Sequence, residues 1–329
     1  AFYAGQMRND TYQIGKEGAD SQFDFLAGST LMKPFNRRDP SQPYIYDYYR
    51  QKGYTVCRGP EGYNSQKNAD KILLVDTDTT LKKWLPYVIE REPGKLGLEF
   101  MVQAGIEKLY KKKNKKGFFM MIEGASIDHA SHPRDIATTI KETIEFDRSV
   151  RLAYEFYKKH PDETLIIVTA DHETGGLGLG IGKYELHLKS LLNQKQSQDL
   201  LSKAITDLRK EKSGKASWDE VKALLADKMG FWKELPLTWE QEKMLRDEYE
   251  TSFVKNKIIF EESLYAKTEP LAAAAKKVMS QIAMVGWTSS SHTAGYVPVF
   301  AIGAGSGLFV GKMDNTEIPK RIAKAAGYK

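Results

Sequence analysis

At 329 residues and 37.2 kDa, with 41% hydrophobic and 28% charged residues, the chain has a globular composition that excludes disordered and fibrous classes. No apolar run reaches the roughly 20 residues that a spanning helix needs, and the start AFYAGQMRND lacks the basic-then-apolar pattern of an export signal. The net charge of +6 raises nucleic acid as a partner, but the densest basic run gives it no support. That run, KKKNKKG at 111–117, follows the helix-like LEFMVQAGIEKLY, where lysines complement a carboxyl-end dipole and Gly117 can stop the helix. No nucleic-acid partner is therefore expected. The single cysteine, Cys57, permits no internal disulfide and reads as a small buried residue.

In chain order, the apolar or alternating runs FDFLAG (23–28), KILLVD (71–76), GFFMMIEG (117–124), TLIIVTAD (164–171) and VPVFAIGAG (297–305) predict strands with amphipathic helices between them. This alternation indicates an α/β fold with a mostly parallel sheet and helices on its faces. The segment 134–160 carries Ile136, Ile140, Ile144, Tyr154 and Tyr157 near a helical period and predicts a long helix packed on the sheet. From 183 to 285 the chain is rich in Lys, Glu, Gln, Leu and Ala and reads as a mainly helical insertion into one α/β domain formed by 1–182 and 286–329. Within it, Ser217 with Glu220 and Thr238 with Gln241 have capping-box spacing, and PLAAAAKKVMSQIAMVG opens on a proline suited to a first helical turn.

Three segments run from an apolar or serine-rich stretch into acids and imidazoles: Glu123-Gly-Ala-Ser-Ile-Asp128-His129-Ala-Ser-His132, Ala170-Asp171-His172-Glu173-Thr174-Gly175-Gly176 and Ser289-Ser-Ser-His292-Thr293. Ligands of open α/β sheets collect beyond the carboxyl ends of strands, which predicts that the first two segments meet in space. Four of the six histidines fall in these segments. Carboxylates with neutral imidazoles and no thiolate suit a hydrolytic zinc site more than a structural one. The remaining two, His160 at a helix end and His187 in YELHLKS, read as structural or solvated.

EGASIDHASH, VTADHETGG and SSSHT, in this order, closely resemble the alkaline phosphatase family, over about residues 2–182 and again 286–327. The resemblance implies the three-layer fold of that family. It implies that Asp128, His132 and His292 hold a first zinc, Asp171 and His172 a second, and that Glu123 belongs to a magnesium site. His129 falls where relatives approach bound phosphate. AFYAGQMRND looks like the family segment that ends in a phosphate-clamping arginine, with Arg8 as counterpart across a one-residue deletion; its planar fork would grip two phosphate oxygens.

The family pattern also has an earlier segment, carrying the serine nucleophile, an aspartate and a threonine, that this sequence does not match. On this reading the second zinc and the magnesium sites are incomplete here, and neither Ser126 nor Ser289–Ser291 matches the nucleophile. The expectation is phosphate monoester hydrolysis through a phosphoserine, with this chain alone inactive or weakly active. The alternatives are a non-catalytic metal-binding relative or fragment, or a phosphodiesterase or sulfatase of the same superfamily. The resemblance further implies a periplasmic or secreted protein, small phosphate monoesters as substrates, and a second copy or a separate amino-terminal segment as partner. The role of 183–285 stays open between lid, dimer contact and decoration.

Overall fold

The structure, a computed structural model, describes residues 7–80, 84–111 and 117–328. Most of the basic run (112–116) and the opening of the arginine segment (1–6) lie outside the described residues. Two compact units emerge and are described separately: Ala1–Pro86, Arg91–Glu123 and Glu145–Ala153 form one, and Tyr87–Glu90, Gly124–Ile144 and Tyr154–Lys329 the other.

In the first unit, α1 (Thr11–Asp20) begins where the Asp10 side chain accepts from the Gln13 N–H. It leads to β1 (Phe25–Ala27), α2 (Ile45–Gln51), β2 (Tyr54–Arg58), α3 (Gly59–Gln66), β3 (Lys71–Val75) and α4 (Leu98–Lys111). The three strands pair in parallel in the order β1-β3-β2, with Leu73 opposite both Leu26 and Val56. Side chains alternate across a strand, so β3 serves two cores. Ile72 and Leu74 pack with Cys57, Tyr63 and Ala104, while Leu73 and Val75 pack with Tyr12, Ala19, Ile45 and Tyr49. Helices therefore cover both faces of this parallel sheet, which is why KILLV reads as a continuous apolar run. Each such side chain contributes about 1.5–3 kcal/mol by leaving water. Cys57 is fully buried, as expected; its strand β2, short and interrupted by polar residues, is one that sequence periodicity misses.

The expected strand at 117–124 is a difference. It joins no strand ladder among the described residues, and Phe119 and Met121 remain about half exposed, at 53% and 48%. Apolarity marks a segment that can be buried. Only a neighbouring backbone makes it a strand.

The second unit contains α5 (Ala125–Ser131), the two ends of α6 (Ile136–Lys159), β4 (Leu165–Val168), β5 (Gly178–Leu179), α7 (Gln198–Glu211), α8 (Trp218–Met229), α9 (Trp239–Tyr249), β6 (Glu261–Glu262), β7 (Lys267–Thr268), α10 (Pro270–Ala283), β8 (Val285–Gly286), β9 (Phe300–Gly303) and α11 (Glu317–Ala325). TLIIV and VPVFAIG do form strands, but β4 and β9 pair antiparallel, from Leu165 opposite Gly303 to Val168 opposite Phe300. An apolar run encodes burial and leaves strand direction unspecified.

The long helix α6 forms as expected, although its apolar period governs only its start. Ile136 is buried and Ile140 packs on the core, whereas Ile144 and Tyr154 are exposed. Further along, Glu142 is buried instead, because its carboxylate accepts the Val88 N–H at 2.6 Å. Burying such a group is tolerable only with a partner of this kind.

The segment 183–285 is mainly helical. Leu201, Ile205, Leu225, Met229, Leu245, Leu271, Val278 and Met279 of α7–α10 make one apolar core that also receives Ile136 and Ala137. Both expected capping boxes are present, Ser217 with Glu220 and Thr238 with Gln241. Pro270 occupies the first turn of α10, and the Glu269 carboxylate accepts the Ala272 N–H at 3.0 Å while pairing with Arg209.

Candidate metal centre

A helix as short as α5 is marginal without tertiary support. Its support comes from the second unit, and its spacing does the chemical work. Asp128 and His132 are four residues apart, so they share a face. Asp128 Oδ1 lies 3.5 Å from His132 Nε2. His132 is only 1% exposed, and its Nδ1 lies 2.9 Å from the Ser290 carbonyl. A carbonyl oxygen only accepts, so Nδ1 carries the proton and donates. The buried Nε2 then has no hydrogen-bond partner, and it faces a carboxylate oxygen. A bare imidazole nitrogen beside a carboxylate oxygen is a donor pair suited to a cation.

His292 completes the cluster. Its ring centroid is 5.2 Å from that of His132, and donor atoms of Asp128, His132 and His292 all lie within 4.8 Å of one another. Two imidazoles and one carboxylate form a set that suits zinc with a position left open. The orphaned, buried Nε2 is an independent observation that these residues fit the ion.

What carries His292 there is a seam between two loops far apart in sequence. The Gly175 N–H donates to the Ser291 carbonyl at 2.7 Å, and the Thr288 N–H donates to the Gly175 carbonyl at 3.0 Å. Glu173 braces the seam: one carboxylate oxygen accepts the Thr293 N–H at 2.6 Å and the Thr293 hydroxyl, and the other accepts the Gly176 N–H. Gly176 has φ of +58°, and a Cβ there would fall 1.8 Å from Thr288 Oγ1, so any other residue would strain the turn and displace the Thr288 side chain.

Asp171 and His172 stand beside this set. His172 Nδ1 lies 3.0 Å from the Glu173 carbonyl, which again assigns the proton to Nδ1, and Nε2 is 3.3 Å from Asp171 Oδ2. The His172 and His292 rings stack with centroids 3.7 Å apart. Thr174 links the two groups, with its hydroxyl donating to Asp128 Oδ1 and its oxygen 3.3 Å from His172 Nδ1. Outer partners of this kind fix ligand orientation.

His129 lies on α5, with its ring edge-to-face against Tyr265 at 4.5 Å between centroids. Arg8, exposed in the turn closed by the Asp10 N–H on the Met7 carbonyl, and Glu123, exposed at the end of 117–124, belong to the first unit. Their place at the centre is carried by the resemblance alone. His160 closes α6 beside Glu163, and His187 pairs with Glu185. Sequence reasoning quoted Glu173, Thr174 and Thr293 within their motifs without giving them roles, and it missed Tyr265. Glu173, Thr174 and Thr293 were signalled by their place within the motifs, and Tyr265 by nothing in the sequence.

Comparison with known proteins identifies the family. Residues 65–328 match the family described as Alkaline phosphatase. Alkaline phosphatase 4 of Bacillus subtilis (strain 168) is 29% identical over 316 residues, which are 96% of this chain and 60% of that protein. Alkaline phosphatase 3 of the same organism is 32% identical over 246 residues, 74% of this chain and 47% of that protein. The crystal structure of Thermus thermophilus alkaline phosphatase superposes with a TM-score of 0.76 at 25% identity, covering 99% of this chain and 67% of that one. The chain thus spans 60% and 47% of the length of these two curated relatives. With the motifs, the α/β fold and a match over most of its length in agreement, the chain belongs to the alkaline phosphatase family.

Proposed function

We propose that the protein hydrolyses phosphate monoesters as a zinc-dependent alkaline phosphatase. The convergence of Asp128, His132 and His292, with a buried and unpartnered Nε2 at its centre, carries this reading. These three hold a first zinc, Asp171 and His172 contribute to a second, and Glu123 contributes to a magnesium site. When bound, the metals supply Lewis acidity and offset the charge on the phosphoryl oxygens.

The chain's own residues prepare that chemistry. Ser290 holds the His132 proton on Nδ1, leaving the Nε2 lone pair for the ion. The Glu173 carbonyl does the same for His172. Thr174 orients the Asp128 carboxylate. Arg8 binds two oxygens of the phosphate, and His129 approaches the phosphate through water, as the family resemblance indicates. The attacking group is a serine that forms a phosphoserine, and no serine beside the ligands here takes that role. Recognition centred on phosphate makes substrate range broad.

Residues 183–285 act as an insertion into the catalytic domain made by 1–182 and 286–329. Among the described residues no helix is long and apolar enough to cross a membrane. The family resemblance supports a periplasmic or secreted location. The test is phosphate release from an aryl phosphate at alkaline pH by the whole protein. Chelation should abolish it and zinc with magnesium should restore it; a rate indifferent to chelator ends this reading.

A further inference from the structure

The turn that follows α5, His132-Pro133-Arg134-Asp135, is gripped by the helical segment at several points. Tyr265 sits in the tight turn of the β6–β7 hairpin, which the Ser263 N–H closes on the Ala266 carbonyl at 2.9 Å. Its ring meets two imidazoles edge-to-face, His129 at 4.5 Å and His132 at 5.0 Å between centroids. At the base of the hairpin, Glu261 pairs with Arg134. Lys276 of α10, itself 4% exposed, donates to the Pro133 carbonyl. The fully buried Asp135 accepts from Gln194 Nε2 and from the Gln198 N–H, both at 2.8 Å, and Gln198 Oε1 accepts from Thr268, which lies opposite Glu261 at the base of the hairpin, at 2.7 Å.

We propose that the β6–β7 hairpin is a clamp on the metal-bearing turn, and that Tyr265 is a positioning residue for His132 and His129. The inference rests on the metal-centre reading above and gives the helical segment a defined task. Besides its fellow members of the cluster, the imidazole of His132 meets the Ser290 carbonyl at Nδ1 and, edge-to-face, the Tyr265 ring. The first sets which nitrogen is bare. The second restricts rotation about the side-chain bonds, so that Nε2 keeps aiming at the point shared with Asp128 and His292. An aromatic pair of this geometry is favourable in itself, and a ring at this position also keeps water from the imidazoles. Tyr265 touches no reacting atom; it acts through the histidines.

The experiment compares the whole protein with Tyr265→Phe, Tyr265→Leu and, as a ligand control, Asp128→Ala. Zinc affinity is measured by competition with a chromophoric chelator. Removing an outer partner of a ligating histidine costs about 10–100-fold in metal affinity. Tyr265→Leu, which keeps apolar volume without a ring, should fall in that range, while Tyr265→Phe should stay within about twofold of the parent. In the metal-free protein, the ring-proton resonances of His129 and His132 should shift in Tyr265→Leu and hold in Tyr265→Phe, a readout independent of zinc and of folding yield. If Tyr265→Leu binds zinc as tightly as the parent, or Tyr265→Phe is as weak as Tyr265→Leu, the clamp is overturned while the centre stands. A parent that binds no more zinc than Asp128→Ala overturns the centre, and the clamp with it.

Discussion

The parallel sheet of the first unit and the loops of the candidate metal centre in the second are built on opposite rules. In the sheet, Leu74 and its neighbours are held by non-directional burial, and any side chain of similar volume and apolarity does nearly the same work. In the loops, His132 Nδ1–H donates to a carbonyl 158 residues away, and the segment of His292 is held by a carboxylate 120 residues before its neighbour Thr293. Burial tolerates substitution; directional polar contacts do not. Sheet and centre should therefore fail in different currencies, the sheet in stability and the centre in ion affinity.

Asp128→Ala or His292→Ala should sharpen this contrast most. Each removes one of the three proposed ligands, so zinc binding at the first site should fall to background while thermal unfolding of the metal-free protein stays close to the parent. Metal analysis beside calorimetry checks it. A variant that keeps its zinc would break the comparison at its root.

Leu74→Ala is the converse. Truncating a fully buried leucine costs about 2–5 kcal/mol, including the cavity left behind. Urea unfolding should show that loss, and zinc affinity of the folded fraction should not move. Glu173→Ala comes next in size, with about a 10–100-fold loss of zinc affinity expected from the loosened seam. Glu173→Gln should recover only part of this, because its amide NH2 would confront one of the N–H or O–H donors that the carboxylate now accepts. Full recovery would mean that shape, and not acceptor count, holds the loops.

The same division explains what the sequence made legible. The segment holding Asp128 and His132 stood out because acids and imidazoles follow an apolar run, and the capping boxes at Ser217 and Thr238 were legible because a three-residue spacing is a local fact. KILLV was legible as a strand because it is a short apolar run, and the cores packed on both its faces are what the structure adds. The 117–124 run did not become a strand, since pairing depends on a neighbour and not on the run itself. Direction failed for β4 and β9 on the same ground. The roles of Glu173, Thr174 and Tyr265 were illegible because each is defined by a contact across 46 residues or more. Such contacts leave no period in the chain.

The capping box of α8 combines both rules at the surface and should give the smallest effect. Ser217 Oγ accepts the Glu220 N–H at 3.3 Å, and the Glu220 carboxylate accepts the Ser217 N–H at 2.8 Å. Ser217→Ala should cost about 1 kcal/mol. The Glu220 carboxyl is held down at about 2, first by its hydrogen bond with the Lys212 ammonium and then by the Ser217 N–H and hydroxyl. A carboxyl lowered on folding binds fewer protons folded than unfolded, so its contribution is present above its unfolded value of 4.5 and is lost as pH falls toward 2. Ser217→Ala removes one of the groups that favour the charged form, so its deficit against the parent should narrow between pH 4.5 and about 2. Urea unfolding of the metal-free proteins at pH 7, 4 and 2.5 measures this. A deficit that stays constant across that range would assign the whole effect to the hydroxyl cap and none to the charge it helps hold.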